Sequence, residues 1–355
     1  MTRACVLICG NGLGHIRRGL QIASALLDRA KSLSISVACA TWQLDALTRW
    51  PVLQQLRENP RADFKVVEPY IHWTLQREYY KDARLLTWAD KLNSLDLPSF
   101  DLVISDNLVE ALRYHPGTVL MGSFFWHDIY RTQFPDEPLV LEYWESCEEL
   151  LRKHKPTIIV NRYFAMPAVR ERVRLIDVGM LPPVLRGGRK RATGAPGLLI
   201  AGGASSTGAK SIRSFLEEVV SKRIGEGLVR LFVERRIAQE LPPNDGWSVF
   251  DYDADDFRQI NAMIARPGMG AIADCVGTGT PMFCVYETNP EMEHNAKTLE
   301  RLGLGWSMDL PGACLDEIRA FFENQAAQAM YEQRAAAIDK CGLEQTVQNL
   351  APFLR

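Results

Sequence analysis

The sequence predicts an α/β protein built from two doubly wound halves, and three observations carry that expectation. Short apolar runs alternate with helical patterns along the 355 residues, the signature of parallel sheets covered by helices. Both halves open alike, with an apolar run that ends in a glycine-rich turn and restarts as a helix. The first is Ala4–Cys9 before Gly10-Asn11-Gly12-Leu13-Gly14-His15; the second is Leu198–Ile200 before Ala201-Gly202-Gly203-Ala204-Ser205-Ser206-Thr207-Gly208. Between them, residues 181–197 are rich in Pro, Gly, Arg and Lys and lack apolar periodicity, as a solvated linker does. The expected division is an N-terminal domain over 1–180, that linker, a second domain over 198–335, and a terminal segment over 336–355.

In the first half, strands are expected at Val6–Cys9, Ile35–Ala40, Phe64–Val67, Asp101–Asp106, Thr118–Gly122 and Thr157–Val160. Helical spacing covers Arg18–Arg29, Thr41–Arg57 with a break at Trp50-Pro51, and Tyr79–Leu92. In the second half, strands are expected at Leu198–Ile200, Val229–Val233, Ser248–Phe250, Ala262–Ala265 and Pro281–Tyr286. Helices are expected over Lys210–Val220, from Gly270, from Asn295 to Leu302, and through most of Cys314–Phe353. Two such halves would face each other across a cleft at the carboxyl ends of their sheets.

Composition narrows the classes. With 41 Lys and Arg against 43 Asp and Glu, the formal charge is −2, so no global basic field points to nucleic acid. No 18-residue apolar stretch suggests a membrane span, and Met1-Thr2-Arg3 runs into a strand too short and Gly-rich for a signal peptide. The eight cysteines include no C-x-x-C, and Cys5, Cys9, Cys39 and Cys284 lie in apolar runs. They read as buried thiols in a reducing, cytoplasmic setting.

Four stretches carry chemistry. Gly12 and Gly14 let the backbone approach an anion, and His15 puts a titratable ring at the mouth of a helix. A dinucleotide fingerprint fails because His15 holds the third glycine's place, and a P-loop fails for want of Gly-Lys-Ser/Thr. An ordinary strand–helix turn explains the same residues. Arg266-Pro267-Gly268-Met269-Gly270 is another turn into a helix; Asp274, one turn on, can accept from vicinal ribose hydroxyls or merely complement the helix dipole. Glu291 and Asn295 open a further helix and can hold sugar hydroxyls or be ordinary polar residues near its start. Asp251-x-Asp253-x-Asp255-Asp256 resembles an oxygen-ligand run, but a solvated acidic turn explains it better, and no metal is expected. Aromatics at Tyr70–Trp73, Tyr79-Tyr80 and Phe124–Trp126 suit sugar stacking or a core. Tyr143 and Trp144, with Arg152–Lys155, suit a domain surface or a peripheral membrane contact.

The spacing Arg266-x-Gly268, Asp274, Gly279-x-Pro281, Glu291-x-x-x-Asn295-Ala296, Gly303 resembles the donor-binding segment of GT-B glycosyltransferases. It is most similar to the branch of the UDP-glycosyltransferases and the peptidoglycan N-acetylglucosaminyltransferase. Gly12-x-Gly14-His15 and Asp101–Asp106 resemble that family's first loop and central N-domain strand. Met292 stands where the family carries Gln, and Arg18 where many relatives carry Pro. Gly-x-Gly-His-x-x-Arg also resembles the UDP-sugar hydrolase of the pseudaminic acid pathway.

The resemblance implies the GT-B fold, with the last helix returning to the first domain. It implies an inverting, metal-independent transfer of sugar from a nucleotide-sugar donor, a UDP-sugar, to a hydroxyl. The acceptor would be a small molecule, glycan or glycolipid, and no cofactor is needed, the nucleotide sugar being a substrate. His15 would be the base and Asp106 its orienting acid, unless Asp106 only caps the following helix. Donor contacts are assigned to Gly12, Gly14, Gly203, Ser205, Tyr252, Arg266, Gly268, Gly270, Asp274, Glu291 and Asn295. Acceptor contacts are assigned to Trp126 and His127. A nucleotide-sugar hydrolase and a non-catalytic nucleotide-sugar binder remain as alternatives.

Overall fold

The structure is a computed structural model that describes residues 2–182, 195–202, 229–239, 246–250, 257–308 and 314–354. Gly203, Ser205, Tyr252, the acidic run 251–256 and the helix expected over 210–220 lie outside the described residues. The chain forms two compact units. One comprises Met1–Leu181 with Cys341–Arg355, the other Pro182–Lys340.

The first unit is a parallel sheet of seven described strands: β1 Thr2–Ile8, β2 Leu33–Cys39, β3 Ala62–Val66, β4 Leu102–Asp106, β5 Val119–Met121, β6 Thr157–Asn161 and β7 Arg174–Val178. Their order is β3-β2-β1-β4-β5-β6-β7, so the winding reverses between β1 and β4. In register, Ile8 at the end of β1 pairs with Asp106 at the end of β4. The continuous apolar runs follow from burial on both faces. Cys5, Leu7 and Cys9 enter one core, while Ala4, Val6 and Ile8 enter the other with Ile16, Leu20, Leu26 and Leu27 of the helix Leu13–Arg29.

The second unit holds β8 Gly197–Ala201, β9 Arg230–Glu234, β10 Trp247–Phe250, β11 Ile260–Ala265, β12 Met282–Cys284 and β13 Gly305–Ser307. Their order is β10-β9-β8-β11-β12-β13, with every pairing parallel. This repeats the reversal of the first unit, now between β8 and β11. Gly197, expected in the linker, begins β8.

After the second unit the chain returns. Gly342 opens the helix Gly342–Leu350 with its N–H donating to Met180 O at 3.0 Å. A Cβ at Gly342 would lie 2.3 Å from Gly179 O, so only glycine lets the two backbones approach this closely. Gln345 Oε1 accepts from Gly179 N at 2.7 Å, and Val347 and Leu350 complete a core of the first unit.

Three local expectations change. The first helix starts at Leu13 rather than Arg18, because Gly12 takes φ 106° as its N-cap. Tyr79–Leu92 is not one helix: 3-10 turns at Arg77–Lys81 and Trp88–Leu95 flank a short turn at Arg84–Thr87. There Asp82 Oδ1 accepts from Arg84 N at 2.8 Å, a local bond that competes with helix continuation. The helix expected from Asn295 begins at Pro290. Asn289 Oδ1 accepts from the N–H groups of Glu291 and Met292 at 2.8 and 3.1 Å, with Pro290 in the favoured first position.

Candidate functional site

At the reversal between β1 and β4, sequence-distant residues converge. His15 lies in the first turn of the helix Leu13–Arg29, and Arg18 follows three residues later on the same face. Both reach Asp106, which ends β4 and is 1 % exposed. His15 Nδ1 lies 2.8 Å from Asp106 Oδ1. Arg18 Nε donates to Oδ2 at 3.0 Å, and Arg18 Nη2 donates to Oδ1 at 2.7 Å. Arg18 Nη2 is also 3.4 Å from His15 Nδ1, but two donors cannot bond each other. The shorter approach to an ionised, acceptor-only carboxylate assigns the proton to Nδ1, leaving Nε2 with its lone pair.

Burial by itself would raise the pKa of Asp106. The Arg18 charge, followed by His15 and the hydrogen bonds from both, outweighs it and holds the carboxyl below its ordinary value. Asp106 does not cap the next helical turn, Val109–Arg113, whose N-cap is Leu108 with no side-chain bond. In the sequence, Arg18 departs from one family pattern and completes the Gly-x-Gly-His-x-x-Arg pattern of another, but neither resemblance places it on Asp106. Helical i,i+3 spacing was the available signal, had the helix been started at Leu13.

The glycine loop ahead of His15 is braced from the short helix Thr41–Ala46 that follows β2. Gln43 is fully buried; its Nε2 donates to Cys9 O at 2.9 Å and Gly12 O at 2.8 Å. Trp42 Nε1 donates to Gly10 O at 3.2 Å. Gly12 and Gly14 therefore present a backbone fixed by side chains the sequence reading had not singled out. The helix N-terminus there has no acidic residue in its first turn and no side-chain cap.

In the second unit, Gly268 is the N-cap of the helix Met269–Thr278, which also has no side-chain cap. A Cβ at Gly268 would meet nothing within 4 Å. Gly270 lies in the first turn. Arg266, expected to face a diphosphate, instead makes a two-pronged ion pair with Glu287: Nε donates to Oε2 at 3.0 Å and Nη2 to Oε1. Asn295 Nδ2, expected on a sugar, donates to Pro267 O at 2.9 Å and ties its helix to the turn after β11. Asp274, expected on a ribose, is 1 % exposed in the helix Met269–Thr278. Glu291 is also buried, one helical turn from Asn295.

Trp126 and His127, expected at an acceptor, are core residues at 2 % and 1 % exposure. His127 Nε2 lies 3.0 Å from Glu148 Oε1 and the ring stacks on Phe125. His127, Asp128 and Glu148 hold their ligand atoms within 4.8 Å. Arg172 Nη1, at 2.8 Å from Asp128 Oδ2 and 2.7 Å from Glu148 Oε1, already supplies that cluster with a cation. Of the aromatics considered for a lipid surface, Tyr143 is buried and its Oη donates to Glu110 Oε1 at 2.6 Å, while Trp144 is half-buried and its Nε1 donates to Asp128 Oδ1 at 3.0 Å. Among the described residues, no helix is long and apolar enough to cross a membrane. Cys5 and Cys39 are buried thiols, each pushed up to about 12, chiefly by desolvation.

No family model and no curated protein matches the sequence. Solved structures do match the fold. The glycosyltransferase of kitacinnamycin is 16 % identical, with 100 % of this chain and 99 % of that chain covered at a TM-score of 0.66. SsfS6 of Streptomyces sp. SF2575, a glycosyltransferase solved with thymidine diphosphate, is 13 % identical over 99 % of this chain and 100 % of its own, at 0.63. VinC, a glycosyltransferase solved with dTDP, is 14 % identical over 99 % of both chains, at 0.60. With its two parallel sheets flanked by helices, the chain has the GT-B fold.

Proposed function

We propose that this protein is an inverting glycosyltransferase that moves a sugar from a nucleoside diphosphate sugar to a hydroxyl group, without a metal or other cofactor. The observation that carries the reading is the 2.8 Å approach of His15 Nδ1 to Asp106, which leaves Nε2 to take a proton. His15 Nε2 removes the acceptor proton as the oxygen attacks the anomeric carbon and the bond to the diphosphate breaks on the opposite face. Asp106 orients the ring and stabilises its cation. The departing diphosphate is met by backbone N–H groups at the helix that begins after Gly268. These groups supply a base and leaving-group stabilisation, the two needs a metal would otherwise serve. Asn295, bonded to Pro267 O, holds the turn that leads into that helix. The fold neighbours bound to thymidine diphosphate and dTDP support a nucleoside diphosphate sugar as donor.

The test is turnover of a panel of UDP- and TDP-hexoses, with and without hydroxyl acceptors, in EDTA. The expected result is sugar transfer that persists in the chelator and is abolished in His15→Ala. Full activity in that variant removes the base assignment. A second reading, hydrolysis of the nucleotide sugar, is favoured by Arg18 lying on Asp106, since that arginine completes the Gly-x-Gly-His-x-x-Arg pattern. Rapid stoichiometric release of free sugar without acceptor selects it.

A further inference from the structure

We infer that Asn107 determines substrate specificity at this site, its carboxamide meeting a hydroxyl of the molecule that reacts beside His15. The inference deepens the proposed function and rests on His15 being the base. Asn107 is the residue after Asp106, at the carboxyl end of β4 and beside the reversal in strand order, where open α/β sheets bind ligands. Its backbone is pinned there, with N–H donating to Met121 O at 2.8 Å and φ at 58°.

Its side chain behaves unlike its neighbours. The side chains of Asp106 and Ser105, just before it in the chain, are both bonded. Asn107 is 6 % exposed, yet neither Oδ1 nor Nδ2 has a hydrogen-bond partner among the described residues. A buried amide left unmet opposes folding, and such features concentrate where function requires them.

The fold also keeps a seat for this amide. Gly122, just past β5, has φ 148°, and a Cβ there would lie 1.4 Å from Asn107 Oδ1. The side chain missing at 122 is the room the amide occupies. A carboxamide presents one donor and one acceptor group, the complement of a hydroxyl, which both gives and accepts a hydrogen bond. That fits an alcohol, a sugar or water rather than a purely accepting group.

The experiment uses the full chain with Asn107→Gly, which tolerates the positive φ, and Gly122→Ala, which displaces the amide. Thermal unfolding without ligand comes first. If the amide serves substrate, Asn107→Gly melts within about 3 °C of the parent or above it; a larger fall makes the amide a structural element and overturns the inference. Turnover of UDP-glucose and TDP-glucose with water or a phenol as acceptor comes second. Both variants should lose about 30-fold or more in kcat/KM for the hydroxyl substrate, with donor KM held within about twofold. Retention within about threefold overturns the inference. Failure of the underlying reading is distinguishable, because the parent itself then turns over neither donor, and the inference falls with it.

Discussion

Where β1 meets β4, a histidine, an arginine and an aspartate converge with Nδ1 and Nη2 within 2.8 Å of one carboxylate oxygen. Where β8 meets β11 the strand order is the same, but the polar side chains described there are buried or bonded within the unit. Arg266 is held by Glu287, Asp274 is buried, and Asn295 is bonded to Pro267 O. What the second unit offers is the N-terminus of a helix behind an open glycine. One topology therefore supports two devices: a titratable trio suited to moving a proton, and a backbone dipole suited to holding an anion. On the proposed function, proton transfer belongs to the first unit and phosphate binding to the second.

That division can be broken experimentally. The largest effect is expected from His15→Ala: kcat falls by about 100-fold to 10,000-fold, with nucleotide affinity by calorimetry unchanged. An equal loss of nucleotide affinity would erase the distinction between the units. Next is Asp106→Asn, which leaves Arg18 without its carboxylate and lowers stability by about 3 kcal/mol in denaturant titration.

The pH dependence of that difference has a definite sign. The pKa of Asp106 is lower in the folded chain than unfolded. Its contribution is therefore fully present above the unfolded value and lost as pH falls through the folded one. The parent and Asp106→Asn should differ most near neutrality and converge below about pH 4. A gap that widens in acid contradicts the ion-pair account.

Arg18→Met should lower kcat by about 10-fold to 100-fold without changing donor KM, and Arg18→Lys should rescue little because a point charge cannot reproduce the fork on Asp106. The smallest effect is expected from Gly268→Ala. Folding stability stays within about 0.5 kcal/mol, since a Cβ there meets nothing within 4 Å, while nucleotide affinity drops about tenfold, or about 1.4 kcal/mol. Unchanged affinity would remove the anion role from that helix.

Much of the scaffold was legible because buried parallel strands leave uninterrupted apolar runs, as at Ala4–Cys9 and Leu102–Ser105. β7 and β13 were missed: Arg174 and Ser307 are exposed at their ends, so their sequences lack that continuous pattern. The proximity of His15 and Asp106 could be anticipated because one follows and the other ends a strand expected in the same sheet. The Arg18 bond was harder to read, since it depends on a helix start fixed by one glycine's φ and on a partner 88 residues away. Trp126 illustrates the converse: an aromatic beside a site looks the same in sequence whether it faces a ligand or, as here, the core. Gln43 and Asn107 gave no local signal at all, because amides become informative only once their neighbours are known.

The return of Gly342–Leu350 to the first unit has a consequence for biosynthesis. Val347 and Leu350 belong to the core begun by β1, yet the whole second unit is translated before they appear. At about 5–20 residues per second, the roughly 160 residues from Pro182 to Lys340 separate the two parts by about 8–32 s. During that interval the nascent first unit exposes the apolar face that those residues later cover. Synthesis of Gly342–Leu350, rather than the end of the first sheet, completes this core.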